Sequence, residues 1–405
     1  MDYARGNQEV LGNESFFLMP WRDGGAEHPV VLRMEEIAPL RFYRSTDERE
    51  GILREEGADF FYCIKNGFND GAFSRKVPTG IHAIFRESEF HGDIYAYVSP
   101  WLSDVMSYGK APWVPHMVRL AEDDGDLRME DRGQRPEGGG RRTEDGGRRR
   151  EDGGQMPEAG GRRTEDGGRR AEGGDRKSAV GDRWSDIRIP KEATVFGRHG
   201  GDDSFDIPWV QEAVVEIAKE NQNIWFLFLN TRVFRGAAGI SNIVFLPATA
   251  DPVLKRRFLN TCDAMLHGRQ RGETFGLSCL EVAILGKPVL TYADSPERAH
   301  LKILGEAAVA YENAQHLRAL LRDRGRWLEF GSLGAEDGGQ RSDVDGRLSV
   351  VGSRKSVVSG RRSKTDRQPT TGNRQPLSMG RSKEYQFKDY QPEAVMKKFQ
   401  QVFLQ

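Results

Sequence analysis

The sequence predicts an α/β protein made of two compact domains, each built on a parallel sheet with helices on its faces. Strand-like and helical segments alternate through residues 1–120 and again through 193–310, which is typical of such sheets. A length of 405 residues is enough for two ordinary domains. No stretch is apolar for long enough to span a bilayer, and the polar start MDYARGNQEV is not typical of a signal peptide. We therefore expect a cytoplasmic protein.

The segment 1–120 alternates short strands with helices. Its strand-like runs are FFLMP at 16–20, ADFFYCIK at 58–65, TGIHAIF at 79–85 and DIYAYVS at 93–99. A helix is predicted over 46–56, opened by Ser45 or Thr46 as its N-cap, and the run PWLSDVM predicts another.

The segment 193–310 shows the alternation more clearly. TVFGRHGG predicts a strand that runs into a glycine turn, and NIWFLFLN, NIVFLP, AMLHG and PVLTY predict further strands. Pro208–Glu220 is expected to be a helix with proline in its first turn, Asp251 can cap the next helix, and another helix starts near Thr274. The last residues predict an amphipathic helix whose apolar side carries Val395, Phe399, Val402 and Phe403.

Two segments, 123–186 and 334–383, differ from the rest. The first contains GGRRTEDGGRR twice with hardly any aromatic residues, and the second is rich in Ser, Arg and Gly. Such sequence cannot bury enough apolar surface to offset the entropy of ordering, so both are predicted to be disordered insertions. Since RR alternates with ED, the local charges nearly cancel, and nucleic acid is not the expected partner.

The overall charge and the cysteines exclude several classes of protein. Lys and Arg total 60 against 61 Asp and Glu, so no global charge favours nucleic acid or a membrane surface. Three separated cysteines in apolar runs predict buried thiols in a reducing compartment rather than a disulfide frame. No Cys/His spacing typical of a metal site occurs.

The stretch GETFGLSCLEVAILGKPV carries the strongest functional signal. Glu273 follows a predicted parallel strand, at the edge where such sheets bind ligands. The start of the next helix offers unpaired N–H groups that suit a phosphate, and Gly276 allows close approach to the backbone. Glu281, two turns on, would face the same cleft. The alternative is that Glu273 is a charge favoured by the helix dipole and Glu281 a solvated position.

This stretch resembles the retaining GT-B glycosyltransferases of the group-1, family-four type. Their pattern E-x-F-G-L…E…G-x-P-V is matched by Glu273, Phe275, Gly276, Leu277, Glu281, Gly286, Pro288 and Val289. The resemblance implies two Rossmann-like domains facing a cleft. It also implies that Glu273 contacts the donor sugar and Glu281 the ribose, with Thr274, Phe275, Gly276 and Leu277 at the donor.

The same resemblance sets the expected domain boundaries. Residues 1–120 would form the acceptor-side domain, without the opening strand of the family, and 187–333 the nucleotide-sugar domain. The segment 384–405 would be a C-terminal helix packing back on the first domain.

A second motif, VFGRHGGDDSFDI, matches the strand and Gly-Arg of the family. The resemblance implies that Arg198 binds the donor diphosphate, because a guanidinium fork fits phosphate oxygens, and that Gly200 and Gly201 keep the loop open. The alternative is a plain turn with an exposed arginine. Asp203 stands where the family usually has a second cation, for which the candidates are Arg269, Arg271 and Arg298.

The first domain contributes candidate acceptor-side residues. His82, in TGIHAIF, resembles the family histidine beside the reacting sugar, although a histidine at a strand end is also a common structural hydrogen-bonder. Asn66, Asn69 and Asp70 suit carbohydrate hydroxyls and equally suit a plain turn.

The resemblance implies transfer of a sugar from a nucleotide-sugar donor to a carbohydrate or other hydroxyl acceptor, with retention and without a metal or other cofactor. The alternatives are a non-catalytic nucleotide-sugar-binding relative, another GT-B enzyme such as a sugar-nucleotide epimerase, and an RNA-associated scaffold acting through the Arg-rich repeats. The donor base, the sugar, the acceptor, peripheral membrane contact and the oligomeric state stay open.

Overall fold

The structure is a computed structural model that describes residues 1–21, 29–122, 125, 187–328 and 387–404. The two predicted insertions, 123–186 and 334–383, lie outside these residues except for Gly125. Within the described residues, no helix is both long enough and apolar enough to cross a bilayer.

The first lobe contains two small parallel sheets. One pairs β1 (Phe17–Pro20) with β2 (Leu40–Tyr43), and the other has the order β3 (Phe61–Lys65), β4 (Thr79–Ala83) and β5 (Ile94–Tyr97). The helices are α1 (Asp2–Glu9), α2 (Pro29–Glu35), α3 (Thr46–Glu55) and α4 (Pro100–Ser107). The predicted cap of α3 is confirmed, since the Ser45 hydroxyl accepts a hydrogen bond from the Glu48 amide at 3.2 Å.

The second lobe is built on one six-stranded parallel sheet. Its strands are β6 (Thr194–His199), β7 (Ile224–Leu229), β8 (Ile243–Leu246), β9 (Ala264–His267), β11 (Val289–Tyr292) and β13 (Ala308–Tyr311). A separate short ladder pairs β10 (Gly272–Glu273) with β12 (Glu297–Arg298). The helices are α5 (Pro208–Glu220), α6 (Pro252–Thr261), α7 (Leu277–Ala283), α8 (Ala299–Leu304), α9 (Ala314–Arg322) and α10 (Gly325–Leu328).

The order of these strands decides where a ligand can bind. Read across the sheet it is β13-β11-β9-β6-β7-β8, so the chain runs outward from β6 to β8 and then returns to β9 on the other side of β6. Such a reversal leaves a crevice at the carboxyl ends of the two central strands. The crevice lies where β6 ends at His199 and β9 ends at His267.

The two lobes share a core, and the predicted two-lobed α/β fold class is confirmed. One apolar cluster on the sheet of the second lobe, with Met265 and Leu280, continues to Ile81 and Leu102 of the first lobe. A second cluster, around Phe226, fills the other face of the six-stranded sheet beneath α5 and α9.

The last helix, α11 (Pro392–Phe403), packs on the first lobe. Its buried side chains Val395, Met396, Phe399 and Phe403 form one apolar cluster with Val114 and Met117, and Tyr3 of α1 packs against that cluster.

His82 lies beneath this helix and is fully buried. Its Nε2 is 2.9 Å from the Val114 carbonyl oxygen, and its Nδ1 is 2.6 Å from the Tyr62 hydroxyl. Because a carbonyl can only accept, Nε2 carries the hydrogen and Nδ1 accepts from Tyr62. Burial, with a smaller contribution from the charge of His116, lowers the pKa of His82 to about 3. These contacts favour a structural hydrogen-bonder, and a role for His82 beside the reacting sugar stays a prediction.

The buried neutral state of His82 predicts a pH-dependent stability. The pKa of His82 is lowered on folding, so the unfolded chain binds a proton that the folded chain does not as the pH falls through about 6.5. Stability from this residue is therefore present at neutral pH and lost under acid. We expect the free energy of unfolding of the His82→Gln variant to fall less between neutral and acid pH than that of the wild type. The difference should correspond to the uptake of about one proton on unfolding.

Urea unfolding of both proteins at about pH 7 and about pH 5 measures this difference. Identical losses in the two proteins would contradict a neutral, buried His82.

Candidate active site

A pocket of about 320 Å³ opens at the carboxyl ends of β6 and β9. Its lining comes entirely from the second lobe and combines carboxylates, cations and histidines: Arg198, His199, Gly200, Gly201, Ser204, Lys255, His267, Arg269, Glu273, Leu277, Ser278 and Glu281. The pocket thus occupies the crevice that the strand order predicts for ligands.

Glu273 is held between a cation and a histidine. Its Oε2 lies 2.8 Å from Nη1 of Arg269, and its Oε1 lies 3.2 Å from Nε2 of His267. Burial alone would raise the pKa of Glu273, but the hydrogen bonds from His267 and Arg269, together with the charge of Arg269, outweigh burial and lower it to about 2. The side chain is an ionised acceptor facing the pocket.

Glu281, on α7, is 5% exposed, which excludes the alternative of a solvated position. Its Oε2 lies 2.8 Å from Nε2 of His199 at the end of β6, and its Oε1 lies 2.5 Å from Nζ of Lys255 on α6. Burial acts to raise the pKa of Glu281, yet His199 and Lys255 together lower it. A second ionised carboxylate therefore stands in the same pocket.

Arg198 lies at the pocket with its guanidinium largely used by the protein. Nη1 donates to the Asn230 carbonyl at 3.0 Å and to the Thr231 hydroxyl at 2.6 Å. Nη2 donates to the Gly201 carbonyl and to the Ser204 hydroxyl, both at 2.6 Å. Burial lowers the pKa of Arg198 to about 10, so it is still charged at neutral pH. A phosphate would have to exchange some of these bonds for its own, and the role of Arg198 at the diphosphate stays a prediction.

The glycine turn after β6 shapes one wall of the pocket. Gly200 has a φ of +149°, and its carbonyl accepts from Nδ2 of Asn230 at 2.8 Å. A Cβ added at Gly200 would lie 3.4 Å from Nη2 of Arg198, and one added at Gly201 would lie 3.3 Å from Oγ of Ser204. The glycine turn and the Arg198 side chain therefore stabilise each other's position. Both glycines line the pocket, as expected from the motif.

Two of the residues expected at the donor join the lobes instead. The Thr274 hydroxyl donates to the Ile84 carbonyl at 2.7 Å, and the Thr274 carbonyl accepts from the Ser99 hydroxyl at 2.6 Å. The ring of Phe275 is 3% exposed and meets the ring of His116 edge-on at 5.0 Å between centroids. Thr274 and Phe275 therefore fix the loop of Glu273 against the first lobe, and their contact with a donor stays a prediction.

Gly276 allows the backbone to turn rather than a ligand to approach. Its φ is +91°, and an added Cβ would lie 2.6 Å from Cβ of His300. Leu277, the first residue of α7, does reach the lining of the pocket.

One of the three candidates for a second cation in place of Asp203 lies at the pocket. Arg269 lines the pocket and is paired with Glu273. Arg271 is turned toward Glu297, with Nε 2.7 Å from Oε1, and Arg298 stands in β12; neither is part of the lining. Lys255 lines the pocket and was missed by sequence reasoning, as were His199, His267, Ser204 and Ser278. Lys255 could have been found from its position in the sequence, because it lies in the first turn of a helix that follows a strand of the sheet.

The acceptor-side candidates lie on an exposed loop of the first lobe and do not line the pocket. Asp70 pairs with Lys65, and its carboxylate accepts from the Ala72 amide at 3.0 Å. The Asn69 side chain accepts from the Gly71 amide at 3.2 Å. These contacts are those of a turn, and a role for Asn66, Asn69 and Asp70 at an acceptor stays a prediction.

No family model matches the chain, and no curated protein matches it. Its structure is similar to that of a glycosyltransferase from Rickettsia africae, with 9% identity, coverage of 81% of this chain and 85% of the other, and a TM-score of 0.48.

It is also similar to HepE from Anabaena in complex with UDP and glucose, with 12% identity, coverage of 78% and 92%, and a TM-score of 0.44. A third similar structure is a putative UDP-N-acetylglucosamine 2-epimerase from Listeria monocytogenes, with 11% identity, coverage of 82% and 86%, and a TM-score of 0.45. The identities to these three structures are 12% or less and the TM-scores 0.48 or less, which is too low to carry an argument about function. We therefore infer function from the side chains of the pocket.

The contact between Gly276 and His300 predicts a specific destabilisation. Gly276→Ala combines a left-handed φ with a clash against His300, so we expect it to lower the free energy of unfolding by about 2–5 kcal/mol. Gly239→Ala is the matched control, because Gly239 has a φ of +80° but nothing within 4 Å of the added Cβ. The control is expected to cost only about 1–2 kcal/mol of backbone strain.

Chemical unfolding of both variants measures the difference. Equal losses would show that the close approach to His300 does not constrain this loop.

Proposed function

We propose that the pocket binds a nucleotide sugar and transfers its sugar to an acceptor hydroxyl. One observation carries the proposal: two ionised carboxylates eight residues apart, the half-buried Glu273 and the buried Glu281, stand in one pocket together with the cations Arg198, Lys255 and Arg269. The carboxylates suit the hydroxyls of two sugar rings, and the cations suit a diphosphate between them.

The cations are proposed to stabilise the leaving group. As the bond from the anomeric carbon to the phosphate oxygen breaks, its electron pair passes to the diphosphate and the sugar becomes oxocarbenium-like. Lys255 and Arg269 are placed to take up this negative charge, while Arg198 adds positive charge and holds the loop. The three cations are proposed to balance the charge of the diphosphate in place of a divalent ion, so the proposed transfer is independent of metal.

The carboxylates are proposed to position the two rings of the donor. Glu273 accepts hydrogen bonds from the transferred sugar, and Glu281 accepts them from the ribose. Because each carboxylate is already anchored by protein donors, its remaining lone pairs are oriented before the donor arrives. The acceptor oxygen bonds to the anomeric carbon and its proton passes to the departing phosphate oxygen, with retention and without an enzyme nucleophile.

Donor binding is the first test. We expect one of a set of UDP-, GDP- and ADP-sugars to raise the melting temperature, because a ligand that binds the folded state stabilises it by mass action. Lys255→Met should abolish most of this shift by removing a cation from the pocket. Lys302→Met, on the exposed part of α8, is the matched control and should keep the shift.

If no sugar nucleotide stabilises the protein, or if both lysine variants lose the shift equally, this assignment of the pocket is wrong.

The two glutamates should act on different kinetic parameters. Glu273→Gln removes the charge facing the reacting sugar, so we expect kcat to fall about 100-fold or more. Glu281→Gln weakens the proposed hydrogen bonds to the ribose, so it should chiefly raise KM for the donor. Steady-state kinetics with product analysis measures both effects and separates transfer from epimerisation or simple binding. Mild and equal effects of the two variants on both parameters would contradict these roles.

A further inference from the structure

A continuous chain of polar side chains runs from Glu273 into the interior behind the pocket. Oε1 of Glu273 lies 3.2 Å from Nε2 of His267, and Nδ1 of His267 lies 2.9 Å from the Thr291 hydroxyl. The same hydroxyl lies 3.0 Å from Nε2 of His300. Thr291 and His300 are fully buried and do not line the pocket, and they have no role in the transfer step proposed above.

Hydrogen-bond chemistry restricts how protons can be arranged along this chain. The ionised Glu273 can only accept, so Nε2 of His267 carries a hydrogen. The Thr291 hydroxyl has one hydrogen and two imidazole neighbours. It therefore donates to one ring and must accept from the other.

Two arrangements satisfy that rule. In the first, Nε2–H of His300 donates to Thr291, and the Thr291 hydroxyl donates to Nδ1 of His267. In the second, His267 carries hydrogens on both nitrogens, Thr291 donates to Nε2 of His300, and a neutral His300 must carry its hydrogen on Nδ1.

The surroundings of His300 favour the first arrangement. Its Nδ1 is buried and makes no hydrogen bond of normal geometry, so a hydrogen there would be a poorly paired buried donor, which is rare in native structures. Burial is the largest cause that lowers the pKa of His300 to about 3. His300 is therefore neutral at physiological pH, with its hydrogen on Nε2.

We propose that Thr291 and His300 are positioning residues for Glu273. They act through His267, along a chain of hydrogen bonds in which every donor points toward the carboxylate. The chain runs from His300 to Thr291, from Thr291 to His267 and from His267 to the carboxylate. Its effect on sugar transfer rests on the proposed function, whereas the proton arrangement itself does not.

The residues packed around this hydrogen-bond chain hold its side chains in fixed positions. Cβ of His300 lies against Gly276 at the start of α7, and the Tyr311 hydroxyl donates to the His267 carbonyl at 2.8 Å. Arg269 anchors the second oxygen of Glu273. The carboxylate is thus held at both oxygens by donors that are themselves held, which is how an acceptor is preorganised for a transition state.

Histidine NMR on the whole protein tests the chain directly. With ¹⁵N-labelled histidine, and with His267→Gln and His300→Gln to assign signals, we expect both rings in the Nε2–H tautomer in the wild type. Thr291→Val, which keeps the shape but removes the hydroxyl, should change the signals of both rings. Thr291→Ser, which keeps the hydroxyl, should restore the wild-type pattern.

The chain is refuted by unchanged signals in Thr291→Val, or by a wild-type His300 with its hydrogen on Nδ1. If Thr291→Val does not fold, His300→Leu and His300→Gln give the same comparison at the His267 signal, since a glutamine amide can donate to Thr291 and leucine cannot. This readout needs no turnover, so it decides the chain even if no sugar nucleotide proves to be a substrate.

Kinetics then separates positioning from general stability. We expect Thr291→Val to lower kcat about 10-fold or more while KM for the donor changes about 2-fold or less, and Thr291→Ser to recover most of the loss. A parallel loss in Thr291→Val and Thr291→Ser, or an effect on KM alone, would overturn the positioning role while leaving the proposed function intact.

Discussion

The reversal of strand order between β6 and β9 is the constraint on which the rest of the second lobe depends. Because the connections leave these two strands in opposite directions, a crevice forms beyond their carboxyl ends. His199 and His267, the last residues of β6 and β9, each meet one of the two glutamates. The architecture of the sheet thus brings together side chains that are distant in sequence.

Charge balance explains how the crevice tolerates two ionised carboxylates. A buried charge is costly unless it is paired and hydrogen-bonded. Glu281 has Lys255 and His199, and Glu273 has Arg269 and His267, so each carboxylate has one cation and one imidazole. This arrangement keeps both glutamates charged and oriented in the absence of any ligand.

The loop that carries Glu273 also makes contacts between the lobes. Thr274 follows directly and is bonded on both its hydroxyl and its carbonyl to the first lobe, and Phe275 packs on His116. The ladder between β10 and β12 holds the other side of the loop, with Glu297 opposite Gly272. Because Thr274 and Phe275 directly follow Glu273, a displacement of one lobe against the other would be transmitted to its carboxylate.

The sequence by itself determined the alternation of strands and helices and the caps at Ser45 and Asp251, because periodicity and helix capping are local properties. It also singled out Glu273 and Glu281, whose roles stay predictions. It did not determine that Lys255 pairs with Glu281, that Thr274 belongs to the interlobe contact, or that His82 is sealed beneath α11. The tertiary structure decided these points, because side chains 26, 190 and 32 residues from their partners meet only after the sheet order and the lobe packing are set.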